Sequence, residues 1–400
     1  MTSRARIAAI AALAAAALPC AAAAAQPPPE VQAPAAIVVD ARDGHVLFAR
    51  AAEEHRAIAS TTKLMTALLT LERARPDEVF TAPDYDAAPA ESRIDLAAGE
   101  RMTVADLLKA LLLESANDAA VTLARGVSGS TQRFVGAMNR RAEELGLEDT
   151  SYANPVGLDD PGAYSSAHDL ATLAAVLMRR PRFARIVDLP EARLESGNRT
   201  RVVENRNLLI ARYPFVTGVK TGHTLRAGYV LIGAAGNART GRVLSVVLGD
   251  PSEAARDADT LALLRWGLSR FERVRPLRPA RTVAEVDIAH RSEDAELVPA
   301  RPVALTVRRG QRVRVRASAP DELDGPIEAG TRVGTASVLV DGRAVRRVAL
   351  VPRADVPGAG TVRVVVSTLG VPLTLALVAA ILLIAAMTVL RIRVRLRLVR

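Results

Sequence analysis

Residues 58–69 read Ile58-Ala59-Ser60-Thr61-Thr62-Lys63-Leu64-Met65-Thr66-Ala67-Leu68-Leu69, an apolar run of helical period with a small polar opening. The pattern predicts a helix from Ser60 to about Arg75. Ser60 and Lys63 are three apart, which on a helix puts both side chains on one face. A serine hydroxyl is a poor nucleophile until a base takes its proton, and a lysine can be that base only if its pKa falls well below the reference of about 10.4. Burial among Leu64, Met65 and their neighbours would lower it, as would a second cation nearby. A helix N-cap followed by a surface lysine has the same spelling, so S-x-x-K alone decides little.

Two further elements change the reading. Residues 104–124, VADLLKALLLESANDAAVTLA, carry helix-period apolar residues interrupted by Ser115-Ala116-Asn117-Asp118. A polar break in apolar surroundings needs a reason. Val219-Lys220-Thr221-Gly222-His223 stands immediately before the strand-like Ala227 to Gly233. S-x-x-K, S-x-N and K-T-G, in that order, form the signature of penicillin-binding proteins and serine β-lactamases.

Around these motifs the chain resembles the D-alanyl-D-alanine carboxypeptidase family of low-molecular-mass penicillin-binding proteins. The matching stretches are Ala59 to Thr66, Ser115 to Ala120, Phe134-Val135 with Met138-Asn139, Asn154-Pro155-Val156-Gly157-Leu158-Asp159, Tyr164 to Ala171, and Lys220-Thr221-Gly222-His223-Thr224. The likeness extends from about Ala36 to Phe271. It implies an α+β fold of the β-lactamase and penicillin-binding-protein type: a five-stranded antiparallel sheet flanked by helices, with a helical lobe. A small all-β domain and one C-terminal transmembrane helix are expected to follow.

The resemblance also implies roles. Ser60 is the nucleophile that attacks the bond between two D-alanines, and Lys63 is its neutral base. The backbone N–H groups of Ser60 and His223 line the oxyanion hole. Ser115 relays protons between Lys63, Lys220 and the leaving amine, and Asn117 bonds the substrate amide while helping to hold Lys63. Lys220 and Thr221 receive the free carboxylate of the terminal D-alanine, and Gly222 lets substrate approach the strand. The implied activity is a serine-type carboxypeptidase acting on peptidoglycan stem peptides that end in D-Ala-D-Ala, inhibited covalently by β-lactams. Three alternatives stay open: a D,D-endopeptidase on crosslinks, a β-lactamase, and a penicillin-binding sensor or scaffold. No deacylating glutamate can be assigned for a β-lactamase, and a decayed sensor would be expected to have lost part of this set.

Other positions receive plainer readings. Asn154-Pro155 and Gly157 read as a loop with turn residues, His168 and Asp169 as helix-capping groups, and His223 as a main-chain contributor. Asn205 and Asn207 read as lobe-to-sheet hydrogen bonders. Glu114, where the family more often has a small residue or proline, and Thr217-Gly218-Val219 before K-T-G are departures that bear on pocket shape. The five histidines, His45, His55, His168, His223 and His290, show no H-x-x-x-H arrangement, so neither a metal site nor a cofactor is expected.

The 400-residue length predicts two or three domains, and with aromatics at only 3% packing must rely on small aliphatic contacts. Residues 1–25 read as a signal peptide, with Arg4 and Arg6 ahead of an Ala-rich run. The one cysteine, Cys20, lies inside it, and Pro19 argues against lipid attachment there. Residues 26–35 read as a Pro-rich spacer, 36–275 as the catalytic domain and 276–365 as a β-rich domain of alternating Val and Arg, a stalk or docking module. Residues 371–390 carry no charge, and 20 residues at 1.5 Å span about 30 Å, the thickness of a bilayer core. The tail 391–400 holds five arginines, which places it on the cytoplasmic side and the catalytic domain outside, on an exported, membrane-anchored protein. Net charge is +10, but half of it sits in that tail and no recognition motif for nucleic acid accompanies it, so no nucleic-acid partner is expected.

Overall fold

The computed structural model describes residues 26–397, so the expected signal peptide at 1–25, with Cys20, and the end of the Arg-rich tail lie outside the described residues. Strand β1 (Ala35–Asp40), AAIVVD, is buried along its whole length. An apolar run of this kind suits a central strand covered on both faces. The Asp43-Gly44 turn returns the chain as β2 (Val46–Arg50), antiparallel to β1. The rest of the sheet comes from far along the sequence: β7 (Val216–Thr224), β8 (Gly228–Asn237) and β9 (Gly241–Asp250). β9 pairs antiparallel with β1, giving a five-stranded antiparallel sheet in the order β2-β1-β9-β8-β7. β7, which carries Lys220-Thr221-Gly222-His223, is therefore an edge strand.

Successive side chains of β1 enter two different layers. Ile37 and Val39 join the apolar cluster that includes Leu64, Met65 and Leu68 of α1 (Lys63–Arg73) and Leu170 and Leu173 of α5 (Ala167–Met178). Ala36 and Val38 join Leu263 and Leu264 of α8 (Glu253–Ser269) on the opposite face. Each such leucine, fully withdrawn from water, contributes on the order of 2 kcal/mol. The lobe beyond α1 is built from α2 (Val104–Lys109), α3 (Asn117–Ser128) and α4 (Thr131–Glu144), with α6 (Pro181–Val187) following α5. The hydroxyls of Thr103, Ser130 and Ser166 cap α2, α4 and α5 by accepting main-chain N–H groups, as the short polar residues before each apolar run lead one to expect. Two small hairpins, β3 (Val79–Thr81) with β4 (Arg101–Thr103) and β5 (Glu191–Leu194) with β6 (Arg201–Glu204), and the short α7 (Leu209–Arg212) complete this part.

Four expectations shift. The helix expected from Ser60 opens as a tight 3-10 turn, Ala59–Thr62, before α1 begins at Lys63. The apolar pattern of Ala258 to Phe271 predicts a closing helix, but α8 starts earlier, at Glu253 behind the Ser252 cap, and ends at Ser269. Phe271 instead opens β10 (Phe271–Leu277) and packs in the α8 layer, so the expected boundary at residue 276 falls inside a strand. The Pro-rich segment is also no free spacer. Val31 and Ala33 are buried, and the N–H groups of Gln32 and Ala33 donate to the Asp259 carboxylate on α8 at 2.5 and 2.9 Å.

The β-rich part adds β11 (Ala284–Ile288), β12 (Asp294–Pro299), β13 (Val303–Arg308), β14 (Val313–Ser318), β15 (Glu322–Leu323), β16 (Gly334–Val340) and β17 (Arg343–Pro352). Six of them form a sheet in the order β14-β16-β17-β12-β11-β15, while β13 pairs with β10. An ionic junction joins this part to β1: the Asp40 carboxylate, fully buried, accepts from Arg42 (2.7 Å) and Arg308 (2.6 Å), and Arg308 also reaches Asp43. Burial pushes the Asp40 carboxyl up, but the two guanidinium partners outweigh it and hold it below the usual range. The last helix, α9 (Thr361–Arg397), contains the apolar stretch Gly370–Ile392, with mean hydropathy 2.8, long and apolar enough to cross a bilayer.

Candidate active site

The 3-10 turn and the first turn of α1 bring Ser60 and Lys63 together. The Lys63 Nζ donates to Ser60 Oγ at 2.9 Å and to the Val156 carbonyl at 2.5 Å. Lys63 has no exposed surface, whereas Ser60 is only half-buried, so the hydroxyl can be reached from outside while its neighbour cannot. Burial first, and then the charge of Lys220, drive the Lys63 ammonium well below its ordinary range, against the opposing pull of Glu91 and Asp118. A neutral amine within hydrogen-bond reach of a hydroxyl is the geometry of an activated nucleophile.

The polar break between α2 and α3 has a structural cause. After α2 the chain widens into a π turn, Ala110–Glu114, and Ser115 adopts the left-handed conformation (φ 65°), rare for a residue with a side chain. That strain stops one helix, takes Ser115 out of the regular helical faces and lets α3 restart at Asn117. Ser115 Oγ is buried without a hydrogen-bond partner among the described residues. The Asn117 side chain does not turn to Lys63: its Nδ2 donates to Glu91 Oε2 at 2.6 Å. The following Asp118 accepts from the backbone of Ile94 and Leu96 and pins the loop that carries Glu91.

β7 supplies the opposite wall. Lys220, 1% exposed, donates through Nζ to the Thr221 carbonyl at 2.9 Å. Burial, together with the nearby positive charges of Arg206 and Arg256, lowers its pKa to about 7. Gly222 lies against the nucleophile turn: a Cβ there would stand 3.0 Å from the Ser60 nitrogen and 2.8 Å from Val230 Cγ2. His223 is exposed and stacks on Tyr229, its cross-strand partner.

The loop at 154–158 does more than turn. Asn154 Oδ1 accepts from the N–H groups of Val156, Gly157 and Leu158, which curls the loop onto the turn at Ala59. The Val156 carbonyl then meets Lys63 and the Pro155 carbonyl accepts from Thr66 Oγ1 at 2.7 Å. Gly157 has φ +87°, and a Cβ on it would stand 2.0 Å from the Ala59 carbonyl oxygen. The simple-turn reading of Asn154 to Gly157 is thus corrected: the loop holds the Lys63 amine. Its contribution is a main-chain oxygen, which leaves no side-chain signal in a sequence.

The remaining readings find these places. Asp169 accepts from Asp149 N–H and Thr150 Oγ1, pinning α5. Asn207 Nδ2 donates to the Gly218 carbonyl on β7, and Asn205 Nδ2 to the Val187 and Leu189 carbonyls at the end of α6. Glu114, the unusual residue, accepts from Arg206 at 3.0 Å and so ties the lobe to the segment before β7. Glu91, Tyr85, Arg206 and Arg256 escaped the sequence reading, because they lie outside the three motifs and share no spacing with them.

A five-stranded antiparallel sheet flanked by helices, with a Ser-x-x-Lys turn opposite a Lys-Thr-Gly edge strand, defines the class of penicillin-binding folds. The sequence profile of the D-alanyl-D-alanine carboxypeptidase family, peptidase S11, matches residues 21–252, and that of the penicillin-binding protein 5 C-terminal domain matches residues 271–358. The chain belongs to this carboxypeptidase family. It is 32% identical to D-alanyl-D-alanine carboxypeptidase DacF of Bacillus subtilis, over 85% of this chain and 90% of that one. It is also 32% identical to D-alanyl-D-alanine carboxypeptidase DacC of Escherichia coli, over 83% and 86% respectively. Among solved structures, penicillin binding protein 5 of Haemophilus influenzae superimposes with a TM-score of 0.59 at 28% identity, covering 83% of this chain and all but 1% of that one (99%). The Streptomyces K15 DD-transpeptidase gives 0.58 at 30% identity, covering 61% of this chain and 100% of that one.

Proposed function

We propose that the protein is a serine-type D-alanyl-D-alanine carboxypeptidase that removes the terminal D-alanine from peptidoglycan pentapeptides through an ester on Ser60. The observation that carries this reading is the buried Lys63 amine 2.9 Å from Ser60 Oγ. Lys63 takes the serine proton as Oγ bonds to the carbonyl carbon of the penultimate D-alanine. The oxyanion is received by the N–H groups of Ser60 and His223. The carbon–nitrogen bond then breaks, and the proton passes through Ser115 Oγ to the departing amine. Water, deprotonated by Lys63, cleaves the ester and restores the Ser60 hydroxyl. Asn117 contacts the acyl-side amide, Lys220 and Thr221 receive the terminal carboxylate, and Gly222 keeps the strand clear for it. A β-lactam acylates the same oxygen and leaves slowly, since its amine stays tethered to the acyl group. The chemistry resides in the part that ends with α8, the β-rich part from β10 onward carries it as a stalk or docking module, and the apolar helix anchors the chain with the catalytic part outside the membrane.

The test is mass spectrometry of a pentapeptide ending in D-Ala-D-Ala after incubation with the protein, with Ser60→Ala as control. Loss of one D-alanine with wild type alone is the expected result. Cleavage of a crosslinked dimer with the pentapeptide left intact would turn the reading to an endopeptidase. A pH profile tests Lys220 separately. With its pKa at about 7 in the free site, kcat/KM is expected to fall as pH rises through that value, because the neutral amine no longer attracts the carboxylate. Lys220→Arg, charged at every accessible pH, should lose this limb. An unchanged limb in that variant would assign the titration to another group.

A further inference from the structure

Asn117 is held twice by one loop. Its backbone N–H donates to the Ser92 carbonyl at 2.7 Å, and its Nδ2 donates to Glu91 Oε2 at 2.6 Å. The same carboxylate accepts the Tyr85 hydroxyl and, through Oε1, the Ala88 N–H at 3.0 Å. An ionised carboxylate can only accept hydrogen bonds, whereas a side-chain amide has a donor end and an acceptor end of nearly equal shape. Glu91 therefore admits one of the two orientations of the Asn117 amide, with nitrogen towards the carboxylate. A glutamine in its place would admit both.

We propose that Glu91 is a positioning residue that fixes the orientation of the Asn117 amide, so that the acyl-side amide of the substrate always meets the same end of that side chain. This rests on the reading of Asn117 as a substrate contact given above. Partial burial pushes the Glu91 carboxyl up, but the bonds from Tyr85, Asn117 and the Ala88 N–H outweigh it, so Glu91 remains an acceptor at neutral pH. Tyr85 completes the device by donating to the same Oε2 that receives Asn117, while the Ala88 N–H holds Oε1. With the opposite orientation, like ends of two dipoles would face each other across the substrate contact.

The experiment compares two β-lactams on the purified full-length protein in detergent, one with an acylamido side chain and one with a hydroxyethyl group at that carbon. Ser60 acylation is followed by intact-protein mass. Glu91→Gln is expected to slow acylation by the acylamido compound about tenfold, and to change acylation by the hydroxyethyl compound less than about twofold. In an Asn117→Ala background the same substitution should have no further effect on either. Equal slowing of both compounds, or an undiminished effect of Glu91→Gln without Asn117, would overturn the proposal. Glu91→Ala, which removes the acceptor without adding a donor, carries the same expectations where the glutamine variant does not fold. Wild-type protein acylated by neither compound would remove the Ser60 acyl-enzyme reading itself, and this inference with it.

Discussion

Lys63→Arg is expected to slow acylation of Ser60 at least about a thousandfold. An arginine keeps a cation and its hydrogen-bond donors, but a guanidinium does not give up its proton at any pH the fold survives. The native site works in the opposite direction: Lys63 has no exposed surface, and its burial and the neighbouring Lys220 both favour the neutral amine. The substitution thus separates two ideas about the residue. If its charge were what mattered, arginine would serve. If its lone pair is what matters, arginine removes the reaction. The measurement is the rate of acyl-enzyme formation with a penicillin, with thermal unfolding recorded alongside to confirm that the variant is folded. Acylation within tenfold of wild type would reject Lys63 as the base.

The second large effect is expected at a residue that has no side chain. Gly157→Ala should lower stability by about 3 kcal/mol or more and abolish acylation. Position 157 has φ +87°, and the added methyl carbon would lie 2.0 Å from the Ala59 carbonyl oxygen and 3.0 Å from the Ser60 nitrogen. Neither neighbour is a flexible side chain that could move aside. Retreat of the loop would carry the Val156 carbonyl away from Lys63, and with it one of the two partners that hold the amine against Ser60. Calorimetry reads the stability and penicillin labelling reads the site. A variant that unfolds at the wild-type temperature and labels at the wild-type rate would show that the loop is a passive turn after all.

The parts of this protein that were legible in its sequence are those written in side-chain chemistry or strict periodicity. AIVVD and HVLFAR, two apolar runs around an Asp43-Gly44 turn, spell β1 and β2, and the helical repeat of Gln132 to Leu145, ended by Gly146, spells α4. The break at Ser115 was visible as polar residues in apolar surroundings, although its backbone form, a π turn closed by a left-handed serine, has no letter code. Boundaries were less legible. α8 loses Phe271 to a strand because that ring is claimed by the layer beneath the sheet, a tertiary demand that local pattern does not contain. The Pro-rich segment looked like a linker because its docking is made by backbone N–H groups on Asp259. The same reason hid Val156. The Glu91 contact was hidden differently, since a carboxylate in an aperiodic loop is far more often solvated than aimed at an active-site amide.

β7 closes its sheet on one side only, and the site is built along its outer margin. The outward N–H and C=O groups of such an edge belong to every residue type, so the strand can pair with the main chain of a guest while Lys220 and Thr221 judge its end. Exchanging a side chain on β7 leaves that ribbon of peptide groups in place, so substitutions there are expected to retune what the edge accepts rather than to remove the edge.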